Sequence, residues 1–208
     1  MKPVQIPQFY AVGLVLFAIP FTRAYFPILT PLTLLLSYVV LFAQASKWDL
    51  KGVLLLLGIA VLTFGVEAVG VHTGAIFGSY AYGSGLGPKM WDTPLIIGLN
   101  WAYLAYATHG MASMWIRMPF LRVVLAALMM VGYDLIVEAV APLMDMWQFD
   151  SGYPPFQNFA AWFVLALFCV GLLEYAGVKT RNRLSSWFLL TQLVFFAAIY
   201  LIYIAFVL

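Results

Sequence analysis

Seven apolar stretches, at residues 7–22, 27–45, 52–72, 93–115, 120–142, 158–178 and 185–207, dominate this chain. Each is near the length that a helix needs to cross about 30 Å of hydrocarbon. The polar connections between them are too small to clothe a globule in water. Hydrophobic residues make up 65% of the 208 and charged residues 9%, against about 25% charged in a soluble domain. The expectation is an all-α, polytopic transmembrane bundle of about seven helices, folded as a single integral membrane domain over residues 1–208. No small-residue cleavage site follows Phe17 and the apolar pattern resumes after Arg23, so the first stretch reads as a span and not a leader. The lone Cys169 lies mid-span and offers neither a disulfide nor a cysteine metal site. A net charge of +2 gives no reason to expect nucleic acid.

The basic residues orient the bundle. Lys2, Lys47, Lys51, Arg117, Arg122, Lys179, Arg181 and Arg183 fall on one side of the alternating spans, and only Arg23 and Lys89 on the other. The positive-inside rule then puts the N-terminus in the cytoplasm and the C-terminus outside. A multi-pass protein of the cell (inner) membrane is expected. The outer connections after the third and fifth spans are long, as loops that cover a site often are.

With that orientation Glu67, Asp134 and Glu138 lie in the outer half of the bilayer, with Asn100 near them and His72, Asp92, Asp145 and Asp150 at the outer boundary. Only His109 and Glu174 belong to the inner half. Ionisable groups inside a membrane cost about 2.5–3.5 kcal/mol each on insertion scales and are functional candidates by default. Asp134 and Glu138 are spaced i, i+4 and share a helix face. Two carboxylates this close resist joint ionisation, which leaves a neutral carboxylic acid available as a proton donor. A hydrogen-bonded pair that only fixes helix packing is the plainer reading; Glu67, a third carboxylate at similar depth, favours chemistry. Oxygen ligation of Mg²⁺ is conceivable for this trio, but diphosphate chemistry needs a second acidic motif and basic partners, and the outer face offers only Arg23 and Lys89, of which Lys89 alone lies near the long outer connections. No metal is expected.

Other polar residues divide between site and scaffold. His72 suits either a proton relay or an interfacial helix end. His109, among Ala107, Thr108 and Gly110, reads as a packed histidine, and Glu174, close to Lys179 and Arg181, as a snorkelling or ion-paired group. Asp92 and Asn158 are expected to cap the fourth and sixth helices. Tyr80 and Tyr82, in a glycine-rich connection, and Trp147, between Asp145 and Asp150, suit an aromatic belt or the rim of a site.

The sequence Glu67-Ala-Val-Gly-Val-His72-Thr-Gly74, then Gly78-Ser-Tyr80 and Gly87-Pro88, resembles the first signature of the bacterial and archaeal carotenoid biosynthesis membrane proteins. Asp134-Leu-Ile-Val-Glu138, followed by Pro142, Asp145 and Trp147, resembles the second. The likeness spans about residues 60–165. The family includes the CruF-type carotenoid 1,2-hydratases. The resemblance implies addition of water to the terminal double bond of a linear carotenoid end group, giving a tertiary alcohol, with no cofactor. Such a reaction needs an acid, a means of stabilising a tertiary cation, and a placed water. The expected catalytic residues are Glu67, Asp134 and Glu138, with Asp134 or Glu138 as the acid and Glu67 stabilising charge or activating water. His72, Tyr80, Tyr82, Asn100, Asp145 and Trp147 are expected to bind substrate or orient water. The expected partners are a carotenoid drawn from the lipid phase, membrane lipids and other enzymes of the pathway.

Two other functions remain open at this level: a carotenoid end-group cyclase, in which an internal double bond captures the cation, and a non-catalytic carotenoid-binding subunit. A retinal photoreceptor is disfavoured because residues 185–207 contain no lysine for a Schiff base.

Overall fold

The computed structural model describes residues 5–23, 25–43 and 50–206. Lys2 and Lys47, and positions 44–45 and 207 of the expected spans, lie outside the described residues. The helices in chain order are α1 (Gln5–Ala18), the single turn α2 (Pro20–Arg23), α3 (Phe26–Ala43), α4 (Leu50–Thr73), α5 (Ile96–Trp115), α6 (Pro119–Glu138), α7 (Phe156–Tyr175) and α8 (Arg183–Phe206). Seven long helices thus answer to the seven apolar stretches. Of these, α4, α6, α7 and α8 are long and apolar enough to cross a membrane on their own.

Helix α5 is the central post. It packs against α3, α4, α6, α7 and α8, and every residue from Trp101 to Ala112 is buried. Surrounded by protein and not by lipid, it can carry Asn100, Thr108 and His109 at membrane depth. Small residues let its neighbours approach closely: a Cβ on Gly98 would run into the Ala60 carbonyl of α4. The outer helices instead turn apolar faces outward. Leu54, Leu57 and Val61 on α4, Leu121, Leu128 and Leu135 on α6, and Leu190, Val194 and Leu201 on α8 are exposed at helical spacing. In water so much exposed apolar surface would be a liability. In lipid it is the matching solvent.

The α4–α5 and α6–α7 connections hold short strands within this all-α fold. β1 (Tyr80–Tyr82) pairs antiparallel with β4 (Trp147–Phe149), Tyr80 opposite Phe149 and Tyr82 opposite Trp147. β2 (Lys89–Met90) pairs with β3 (Thr93–Pro94), through a two-residue turn in which Trp91 and Asp92 both have positive φ, 51° and 54°. That is the backbone of a tight hairpin. It also corrects the expected role of Asp92: the turn claims this residue, and α5 begins later, at Ile96, behind Leu95 and with no side-chain cap.

The β1–β4 ladder joins the two long connections into one cover. Its seam is tight. Gly83 N–H donates to the Met146 carbonyl at 2.9 Å and Gly85 N–H to the Asp145 carbonyl at 2.6 Å, and a Cβ at either glycine would strike the α6–α7 connection. Asp145, itself at φ 52°, accepts hydrogen bonds on Oδ2 from the Ser84 hydroxyl and from the Ser84 N–H at 2.8 Å.

Candidate active site

Beneath this cover three helix ends converge. Glu67 stands near the C-terminal end of α4, Glu138 is the last residue of α6 with Asp134 one turn before it, and Asn158 lies in the first turn of α7. Glu67 is 3% exposed, Asp134 1% and Asn158 2%.

Glu67 is ringed by donors. The Tyr80 and Tyr82 hydroxyls donate to its Oε2 at 2.6 and 2.9 Å, and the Trp101 indole N–H donates to Oε1 at 2.8 Å. The period-2 geometry of β1 accounts for two of these: Tyr80 and Tyr82 point inward while Ala81 faces out. Burial, and then the Glu67 carboxylate beside them, push both phenols well above their ordinary pKa, so they act as neutral donors.

Asp134 and Glu138 share one amide. Asn158 Nδ2 donates to Asp134 Oδ2 at 3.0 Å and to Glu138 Oε1 at 3.2 Å. The Trp147 indole, brought in by β4, donates to Glu138 Oε2 at 3.0 Å. No Lys or Arg lines this cluster among the described residues.

Between the three carboxylates lies a cavity of about 20 Å³, walled further by Phe77, Tyr80, Tyr82, Trp147, Phe149 and Trp162. A volume of that size holds about one water molecule, given polar partners, and carboxylates and phenols supply them. Trp162 stacks on Trp101 with ring centroids 4.0 Å apart. A second cavity, of about 30 Å³, adjoins the first and is lined mainly by apolar groups, with Asn100 on its wall. Asp134 lines both cavities; Glu67 and Glu138 line only the first.

The carotenoid biosynthesis protein family model matches residues 11–208. The chain belongs to that family. It is also similar to a bisanhydrobacterioruberin hydratase of Haloarcula japonica, at 28% identity over 169 residues. That match takes in 73% of this chain and 56% of the relative, so the chain spans little more than half the length of the curated protein it matches. No solved structure matches it.

In this carotenoid biosynthesis protein, the fold brings together six of the residues singled out in the sequence: Glu67, Tyr80, Tyr82, Asp134, Glu138 and Trp147. Asn100 stands one cavity away and accepts a hydrogen bond from the Tyr38 hydroxyl at 2.6 Å. Two residues lie apart. His72 is on the exposed end of α4, its Nδ1 3.0 Å from the Ala68 carbonyl and its Nε2 3.9 Å from Asp92 Oδ2. Asp145 serves the cover: its hydrogen bonds from Ser84 lower its pKa and tie the two connections together.

Two residues of the cluster were assigned otherwise, or not at all, from the sequence. Asn158, expected as a cap, is inside α7, which starts at Phe156 behind Pro155; its amide is turned to the carboxylates. Trp101 carried no signal beyond its type, since an indole in an apolar helix looks like packing until its N–H finds an acceptor.

At the opposite end of the bundle a second polar cluster forms. Glu174 accepts two hydrogen bonds from Arg122 Nη1, at 2.9 and 3.0 Å, and lies 2.6 Å from His109 Nε2. His109 Nδ1 is 2.7 Å from the Thr180 hydroxyl. The expected partners of Glu174, Lys179 and Arg181, are replaced by Arg122 from across the bundle.

Proposed function

We propose that this protein hydrates the terminal double bond of a linear (ψ) carotenoid end group by acid catalysis, in the cell membrane and from its outer half, with the N-terminus in the cytoplasm. The observation that carries the reading is a water-sized cavity held between three carboxylates without a neutralising cation, in a member of the carotenoid biosynthesis family similar to a hydratase. Protonated Asp134, on the wall shared with the apolar cavity, gives its proton to the CH carbon of the terminal double bond. The π electrons form the new C–H bond, and the adjacent carbon, which carries two methyl groups, becomes a tertiary cation. The faces of Trp147 and Trp162 and the nearby carboxylates stabilise it. The water in the polar cavity attacks that carbon and passes a proton to Glu138, with Glu67 orienting it. Glu138, one helical turn from Asp134 and bound to the same Asn158 amide, returns the proton. The sum is one alkene and one water giving one tertiary alcohol. No step calls for a redox cofactor or a metal.

A cyclase would begin with the same protonation. The polar cavity beside the cation site favours capture by water. The deciding experiment is expression in cells that make a linear carotene, with mass analysis of the extracted pigment: hydration adds one water per reacted end, cyclisation adds nothing, and a carrier returns the pigment unchanged. Full activity in all three of Glu67→Gln, Asp134→Asn and Glu138→Gln would overturn the mechanism.

A further inference from the structure

The two small cavities at the carboxylates cannot hold the long hydrocarbon arm that a carotenoid end group drags behind it. A third space can. A groove of about 230 Å³ runs between α1, α3 and α8, lined by Phe9, Val12, Leu16, Leu29, Phe195 and their neighbours. It opens to the lipid side, where Val12 is 60% exposed. Gly13 shapes its floor: a Cβ there would stand 3.1 Å from the Phe195 ring, so the missing side chain lets that ring lie against α1. Leu34 and Phe196 line both this groove and the apolar cavity at Asp134. The three spaces therefore form a series, from lipid, past Leu34 and Phe196, to the one carboxylate that faces the apolar side.

We propose that the groove between α1, α3 and α8 is a binding site for the polyene arm of a linear carotenoid, and that Leu34 and Phe196 form the constriction through which its end group reaches Asp134. The inference rests on the hydratase reading for its direction, since only a molecule reacting at its end needs a path that stops at an acid. The lining suits the occupant: Phe9, Phe26, Phe195 and Phe196 offer flat faces to a conjugated chain. Two of the donors that line the groove are engaged within the protein, while Gln192 Oε1 has no hydrogen-bond partner among the described residues. Thr30 donates to the Phe26 carbonyl at 2.8 Å, and Gln192 donates to the Tyr10 hydroxyl at 3.0 Å.

The test separates binding from turnover. Purified protein in lipid nanodiscs is titrated with a linear all-trans carotene, and binding is read as the visible circular dichroism that a polyene gains in a chiral site. Val12→Trp, on the lipid side, and Leu34→Trp, at the constriction, should each weaken binding at least tenfold, with thermal melting checking that the bundle stays folded. Phe196→Trp, a smaller increase in bulk at the same point, should weaken binding likewise and reports on the constriction if Leu34→Trp fails to fold. His109→Gln, in the Glu174 cluster, should bind the carotene as the unsubstituted protein does. Unchanged binding in Val12→Trp together with Leu34→Trp or Phe196→Trp overturns the proposal. So does loss of the carotene signal in detergent-solubilised protein when a long-chain phospholipid is added at a concentration equal to that of the carotene, which would make the groove a lipid site. Should the hydratase reading alone be wrong, the groove variants still lose binding while no protein yields a hydrated product.

Discussion

The two polar clusters of this bundle are built from the same kinds of residue and come to opposite ends. At one end Glu174 meets Arg122 and His109, and Glu174 lies within 3.0 Å of both. Charge is matched by charge, and the cluster ties α5, α6, α7 and the segment before α8 together. At the other end Glu67, Asp134 and Glu138 meet only neutral donors, and a space is kept open between them. Buried ion pairs lock helices. Buried carboxylates without a counter-ion retain a proton to give. Depth in the membrane is thus no guide to role; the presence of a cation is.

The comparison breaks most sharply at Asp134. Asp134→Asn should lower product formation by about 10²–10⁴-fold, the range for loss of a placed proton donor, while the melting temperature stays within a few degrees. Turnover per folded molecule in His109→Gln should stay near that of the parent. Quantified pigment from membranes, normalised to folded protein, checks both.

The Glu174 cluster should fail in the other sense. Arg122→Ala leaves Glu174 without its cation. Removing one partner of a fully buried pair costs about 3–5 kcal/mol; both side chains here are about one-fifth exposed, which reduces the expected loss to about 2 kcal/mol. Thermal or denaturant unfolding in detergent should show it, with residual activity per folded molecule unchanged. A reversed pattern, with activity lost and stability kept, would dissolve the distinction between the clusters.

A smaller effect belongs to the donors. Tyr82→Phe removes one of three hydrogen bonds to Glu67 and should slow turnover by about tenfold, less than the loss of an isolated charge-stabilising donor because two remain. The smallest concerns the cover. Asp145 has its pKa lowered chiefly by the Ser84 hydroxyl. Its contribution is therefore present above the ordinary aspartate value of about 3.9 and lost as pH falls through the lower folded value. Because the carboxylate is largely exposed the change is slight. It should appear as an acid transition in Trp147 fluorescence that Asp145→Asn abolishes.

Much of this was legible in the chain. Apolar length marks the helices because lipid demands it, and the i, i+4 spacing of Asp134 and Glu138 already puts them on one face. The partners of those carboxylates were harder to read. Trp101 and Asn158 reach Glu67 and Asp134 across helix boundaries, and nothing local separates such residues from packing or caps. The strands were concealed by their shortness, although Tyr-Ala-Tyr at 80–82 and Trp-Gln-Phe at 147–149 alternate aromatic and small or polar residues, the period of a pleat. The same holds for Glu174, whose sequence neighbours Lys179 and Arg181 obscured its distant partner Arg122.

The ladder between β1 and β4 walls the carboxylate cavity with Tyr80, Tyr82, Trp147 and Phe149, so on the proposed function the path from lipid through the groove would stop at that cover. A site that stops there imposes an order on a molecule with two ends. A linear carotenoid hydrated in it would not thread through; after one end reacted it would have to back out, turn round in the bilayer and enter again. Where both ends are substrates, the singly hydroxylated pigment is a free intermediate, released among unreacted molecules that compete with it for re-entry. Time courses should then show that species rise and fall before the doubly hydroxylated product dominates.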